Sequence, residues 1–212
     1  EKISMNFEIE NSTYLVHGFG ASLLENNLIN ERFKKSLVLT DASSKFLFRW
    51  YDPRVLTYLD QIFTEPELNG LLGIFENWNF IHPMGYFSWY KKNNEKFISR
   101  NINKISSNQS TALDLIEISN LVYVEAYKND AIDKQEINPT NILLNLFVAY
   151  ENHKIHKYAD LYSYGLYAEI LGRYFFHHPL VENVLEQYWI KDSNDYDFNE
   201  AISKIAGHRV LA

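Results

Sequence analysis

The chain has 212 residues and a mass of 25.0 kDa, with 46% hydrophobic and 22% charged positions, 8 Gly, 5 Pro and no cysteine. Its 14 Phe, 15 Tyr and 4 Trp exclude a disordered polymer, and the missing cysteines exclude a disulfide framework, a zinc ribbon and a thiol nucleophile. A formal net charge of -7 argues against a general nucleic-acid binder, which needs a basic stripe along the phosphate backbone.

No apolar run approaches the roughly 20 residues needed to cross a bilayer, so no membrane insertion is expected. Residues Glu1 to Glu10 lack a basic segment followed by an apolar stretch and do not read as a signal peptide. Position 1 is Glu rather than Met, which is compatible with a fragment of a longer chain. The class implied is a soluble, intracellular, globular protein, with one large domain or two small lobes.

In chain order, Leu23, Leu24, Leu28, Ile29 and Phe33 recur at helical spacing. Ser36 to Thr40 and Lys45 to Tyr51 read as strands joined by the polar turn Asp41 to Ser44. The run Phe46 to Leu56 reads as a strand entering a helix. Asp52 is the cap, Pro53 takes the first helical position, and Val55, Leu56, Leu59, Ile62 and Phe63 form the apolar face. Both faces of that strand are apolar apart from Arg49, so Arg49 is expected in a covered layer, neutralised by Asp52 or Glu76. The same residues, with Arg54, suit either an anion site at a helix N-terminus or a structural ion pair. The Asp already at the cap favours the ion pair.

Glu65-Pro-Glu67 after Thr64 reads as a capped first turn carrying negative charge. Trp78, Phe80 and His82 alternate before Pro83, and Tyr86 to Tyr90 follow Gly85, which predicts a hairpin. Lys91 to Ser110 is polar and without periodicity, and separates a mixed α/β lobe (1–95) from a helical lobe (106–212). In the second lobe the stripes are Leu115, Ile118, Val122, then Leu143, Phe147, Tyr150, then Leu161, Tyr164, Ala168, Leu171, Phe175. Asn138-Pro139 and His178-Pro179 mark helix starts. The fold class is α+β: a small mixed α/β N-terminal lobe, then an all-helical C-terminal lobe of four or five helices.

Candidate chemistry is sparse. Gly18-Phe-Gly20 reads as a turn between a strand and the first helix, because no nucleophile elbow, dinucleotide fingerprint or phosphate loop accompanies it. His153, His156, His177 and His178 lack the companions of a metal motif and read as surface or capping residues, so no metal or other cofactor is expected. Two carboxylates that meet only in the fold would make a hydrolase, which the sequence leaves open.

Arg49-Trp-Tyr-Asp-Pro-Arg-Val-Leu56 resembles the hallmark of the adaptor chaperones of bacterial type VI secretion, the Tap/Tec family, whose strand-end motif is R-[FWY]-Y-D-P-R-V-L. The preceding helix from Leu23 to Phe33 and the segment Gly73 to Trp89, with Trp78 and Trp89, are similar to the family's flanking elements. Ser110 to Ala126, Asn138 to Asn152, Leu161 to Gly172 and Phe175 to Trp189 follow the order of its helical part. The likeness runs from about Tyr14 to Ile205. Family members usually carry a further N-terminal segment that supplies strands to the first lobe, and this chain starts late by comparison.

The resemblance implies a non-enzymatic cytoplasmic protein that binds a cognate toxic effector and helps load it onto the VgrG spike. It implies no cofactor and no nucleic-acid partner. Within it, Arg49, Trp50, Tyr51, Asp52, Pro53 and Arg54 are expected to organise the lobe. Trp89, Tyr90, Tyr162 and Tyr167, off the core stripes, are candidate partner contacts. The alternatives are an immunity-type protein that neutralises a toxin and the hydrolase.

Overall fold

Short alternating runs build the sheets of the first part of the chain, and longer apolar stripes build the helices of the second. The computed structural model describes residues 18–82, 85–91, 104–130, 132–172, 174–190 and 196–209. Pro83, Tyr14 to His17 and most of the polar stretch after Lys91 lie outside the described residues. The chain divides between Ser106 and Ser107 into two compact units. The class is α+β, with small sheets in the first unit and helices in the second.

In the first unit, β1 (Gly18–Ala21), β4 (Asn77–His82) and β5 (Gly85–Tyr90) form an antiparallel sheet in the order β1-β4-β5. The expected hairpin is β4–β5, with Trp78 opposite Trp89 and Phe80 opposite Phe87, whose rings stack at 5.4 Å. Gly18 and Gly20 lie in strand β1, not in a turn. A Cβ at Gly20 would come 2.6 Å from the Asn77 carbonyl and 2.8 Å from the Trp78 ring. Glycine is therefore what lets β1 pair flush against an indole.

The second hairpin is shorter than expected, β2 (Val38–Thr40) with β3 (Lys45–Leu47). Its turn closes because the Asp41 carboxylate accepts the backbone N–H groups of Ser43 and Ser44, each at 2.7 Å. Helix α1 spans Asn26–Ser36, three residues later than the leucine spacing predicts at its start. Leu23 is 85% exposed, and Ser22 Oγ accepts the Leu24 N–H, so this stretch is spent on a turn. Past Asp52 the expected single helix is two short ones, α2 (Pro53–Leu56) and α3 (Leu59–Ile62). The break at Thr57-Tyr58 puts the Tyr58 side chain wholly inside while Leu59 and Ile62 stay buried. Helix α4 (Glu65–Leu72) starts at Thr64, whose N–H and hydroxyl both donate to the Glu67 carboxylate at 2.8 Å.

The second unit contains α5 (Ser107–Lys128), α6 (Pro139–Glu151), α7 (Tyr158–Leu171), a 3-10 turn (Phe175–His177), α8 (Pro179–Ile190) and α9 (Phe198–Arg209). Helices α5, α6 and α7 pack on one another, and α9 packs on α7 and α8. Leu115, Ile118, Val122, Leu143, Leu161, Tyr164 and Ala168 are buried as their spacing requires. Phe175 belongs to the 3-10 turn rather than to the third stripe's helix, because Gly172 at φ 93° ends α7. Asn138 caps α6 by accepting the Thr140 N–H, and His178 Nδ1 accepts the Leu180 N–H at the start of α8.

The turn after α6 carries a cost. Lys154 has φ 54°, a left-handed conformation that favours glycine, while Ile155 beside it is fully buried. Lys154→Gly should therefore stabilise the protein by about 0.5–1 kcal/mol, the relief of that conformation less the greater freedom of an unfolded glycine. Urea unfolding midpoints of the two proteins test this, and an unchanged or lower midpoint for the variant contradicts it.

Candidate functional site

The eight-residue run from Arg49 to Leu56 leaves β3 and turns into α2, and nearly all of its side chains are used inside the first unit. Trp50 is fully buried. Its Nε1–H donates to Ser36 Oγ at 2.9 Å, and that hydroxyl donates to the Phe33 carbonyl at 2.8 Å. Around the indole stand Phe33 (5.4 Å), Trp78 (5.5 Å) and Phe75 (6.3 Å), all edge-on or tilted. These arrangements suit the ring quadrupoles and tie α1, β4 and the segment between α4 and β4 to one side chain. Tyr51 is half-buried and stacks on Phe33 at 5.9 Å. Pro53 and Leu56 are buried.

Asp52 does two jobs at once. Its Oδ1 accepts the Arg54 backbone N–H at 3.0 Å, capping α2, and its two oxygens accept Arg54 Nε (3.0 Å) and Nη2 (2.7 Å). Burial alone would raise its pKa, but the Arg54 guanidinium and N–H outweigh it and hold the carboxyl below its ordinary range. The guanidinium of Arg49 adds only a weaker, longer-range attraction, the least of the influences that lower the Asp52 pKa. Arg49 is exposed, with its Cζ 6.0 Å over the Tyr51 ring, and Glu76 pairs instead with Lys91 at 3.0 Å. The expectation of a covered Arg49 is corrected for a geometric reason. Alternation runs on past β3, with Lys45, Leu47 and Arg49 exposed and Phe48 and Trp50 buried, and the face that carries Leu47 is uncovered although that residue is apolar.

His82, at the end of β4, is 3% exposed and lies within electrostatic reach of both Asp52 and Arg54. Burial pushes its pKa down to about 4, so it is neutral at pH 7. No reading of the sequence placed it beside the corner, although its alternation with Trp78 and Phe80 marked it as inward-facing.

Asp52→Ala should cost about 1 kcal/mol through the lost cap, since Arg54 is largely exposed and the pair itself adds little. Arg49→Ala should leave stability within about 0.5 kcal/mol of the parent. Chemical denaturation distinguishes them, and equal losses for both would restore Arg49 to the corner.

The four candidate contact residues do not form one surface. Trp89 is half-buried and Tyr90 is 64% exposed, and as neighbours on β5 they face opposite sides of the sheet. Tyr162 and Tyr167 are both half-buried and stand five residues apart on α7, on different faces of that helix. Only Tyr90 is clearly presented to a partner. The spacing argument missed Tyr174 (68% exposed), Trp189 (53%) and Ile190 (76%). For the last two, a signal was present: α8 buries Val181, Val184, Leu185 and Tyr188, and they fall off that stripe.

Two carboxyl groups of α7 have raised pKa values. Burial pushes Glu169 up to about 7, and burial also raises Asp160, which accepts a hydrogen bond from the Tyr188 hydroxyl at 3.0 Å. Nine residues of helix put them on opposite faces, so they do not make an acid–base pair. Among the described residues no group of three or more His, Cys, Asp or Glu is arranged to hold a metal ion. Among the same residues no helix is long and apolar enough to cross a membrane. No family model matches the chain, and no curated protein or solved structure is detectably similar to it.

Proposed function

We propose that this chain is a non-enzymatic adaptor chaperone of type VI secretion, which holds a cognate toxic effector in the producing cytoplasm and hands it to the VgrG spike. The observation that carries this reading is the Arg49–Leu56 run together with where its side chains go. Trp50 and Pro53 are buried and Asp52 is committed to a cap and an ion pair, so the run serves as a scaffold rather than as reactive chemistry. Recognition then falls to exposed aromatic side chains such as Tyr90, the residue type that anchors protein interfaces.

A competition assay tests the role. Deleting the gene in the producing strain should abolish delivery of the one effector encoded beside it while other effectors are still secreted. Unchanged delivery, or self-intoxication of the producing strain, contradicts the adaptor role. Self-intoxication would assign the chain to immunity.

A further inference from the structure

Where α6 ends, the His153 imidazole lies among three aromatic rings. Its centroid is 5.7 Å from Tyr164, 5.6 Å from Phe176 and 6.2 Å from Trp189, the last nearly parallel at 20°. Both ring nitrogens are buried, and neither has a hydrogen-bond partner. One N–H is thus left undonated in the neutral ring, and two would be in the cation. The faces of aromatic rings attract a cation, but less than the loss of water and of two hydrogen bonds costs it. The surroundings therefore admit the neutral ring and resist the charged one.

The same residue also touches α8, whose C-terminal end is anchored chiefly by buried Tyr188 and its hydrogen bond to Asp160. The Trp189 indole N–H donates to the His153 carbonyl, so one turn carries both the imidazole and the acceptor that fixes the Trp189 side chain. That turn is held by packing more than by its own preference. Lys154 sits left-handed at φ 54°, and the His153 N–H reaches the Val148 carbonyl at a long 3.3 Å.

We infer that the turn 152–156 is a proton-operated latch: neutral His153 keeps the Trp189 indole docked, and protonation of His153 releases it.

The groups around the latch support it. From α7 comes the buried Tyr164, whose hydroxyl also has no hydrogen-bond partner and offers His153 no charge. From the 3-10 turn comes His177, whose positive charge when protonated opposes that of His153. From α8 comes Glu182, which lies 3.9 Å from His177 Nδ1. On the turn's own strand of chain, Glu151 and Lys154 flank the site, and His156 is set against Tyr150 at 4.5 Å. Among the described residues no carboxylate forms an ion pair with His153. Burial, with His177 second, lowers its pKa, so the latch stays closed near neutrality and opens in acid. This inference goes beyond the adaptor reading and does not depend on it.

Nuclear magnetic resonance of the full chain tests it, following the His153 ring and the Trp189 indole N–H from pH 7.5 to 4.5. The expected result is that both titrate together, with a midpoint below the ordinary histidine value, and that solvent exchange of the indole N–H rises at least tenfold across it. In His153→Phe, which keeps a ring and the backbone carbonyl, the indole signal should stay constant over the same range. His153→Gln serves equally where the phenylalanine packs poorly. A Trp189 signal indifferent to pH in the parent, or one that still moves in both variants, overturns the latch.

Discussion

Trp50→Ala is expected to cost about 3–5 kcal/mol, the range for deleting a large buried aromatic side chain. Trp50 is fully buried, contacts Phe33, Phe75 and Trp78, and spends its N–H on Ser36, so truncation removes the one group on which α1, β4 and the segment between α4 and β4 converge. The loss rivals the whole stability of a small unit. Trp50→Phe should lose less, because ring packing survives and the small Ser36 hydroxyl keeps its own bond to the Phe33 carbonyl. Guanidinium unfolding followed by near-ultraviolet dichroism measures both. A Trp50→Ala protein within 1 kcal/mol of the parent would show that the corner is not organised by this residue.

The second large effect is on pH, where His82 and Glu169 should act in opposite senses. His82 has a folded pKa of about 4 against roughly 6.5 when unfolded. Between those values the unfolded chain binds a proton that the fold refuses, so stability is complete above about pH 6.5 and falls as pH drops toward 4. The full loss is on the order of 3 kcal/mol. Glu169 runs the other way. Its folded pKa of about 7 lies above the ordinary carboxyl value, so the fold holds the extra proton and its stability declines as pH rises from about 4 through 7. Being partly exposed, Glu169 is worth less than His82.

His82→Gln should flatten the acid limb of the stability curve, and Glu169→Gln should raise stability above pH 7 without changing it near pH 4. His153, in the second unit, steepens the acid limb alongside His82. Parent and variant curves of identical shape would contradict these assignments.

What the sequence made legible follows from how local each signal is. The β4–β5 hairpin was readable because Trp78, Phe80 and His82 alternate and Gly85 starts the return strand. The starts of α4, α6 and α8 were readable because Thr64, Asn138 and His178 sit beside their prolines or glutamate and cap within three residues. Asp52 as a cap was legible for the same reason. Arg49 was misread because Leu47 on the same face made that face look covered, whereas Leu47 is 66% exposed and the face is open. Gly18 and Gly20 were misread because their reason is tertiary, the Trp78 ring on the neighbouring strand. Beyond its place in the alternation, nothing local tells His82 that it will lie near Asp52 and Arg54, far earlier in the chain. The candidate contacts were the least legible, since exposure depends on neighbours that a single helix or strand does not reveal.

The adaptor account is tested most directly by the masses of the complexes the chain forms. Tagged protein would be co-expressed with the effector and the VgrG-type spike encoded beside it, each alone and then together, and the purified complexes weighed by native mass spectrometry. The account predicts a stable complex with the effector that recruits the spike as a third component. An effector complex that excludes the spike and abolishes the toxic activity would contradict it in favour of an inhibitor. Binding to neither protein would leave the α+β fold standing and remove the function.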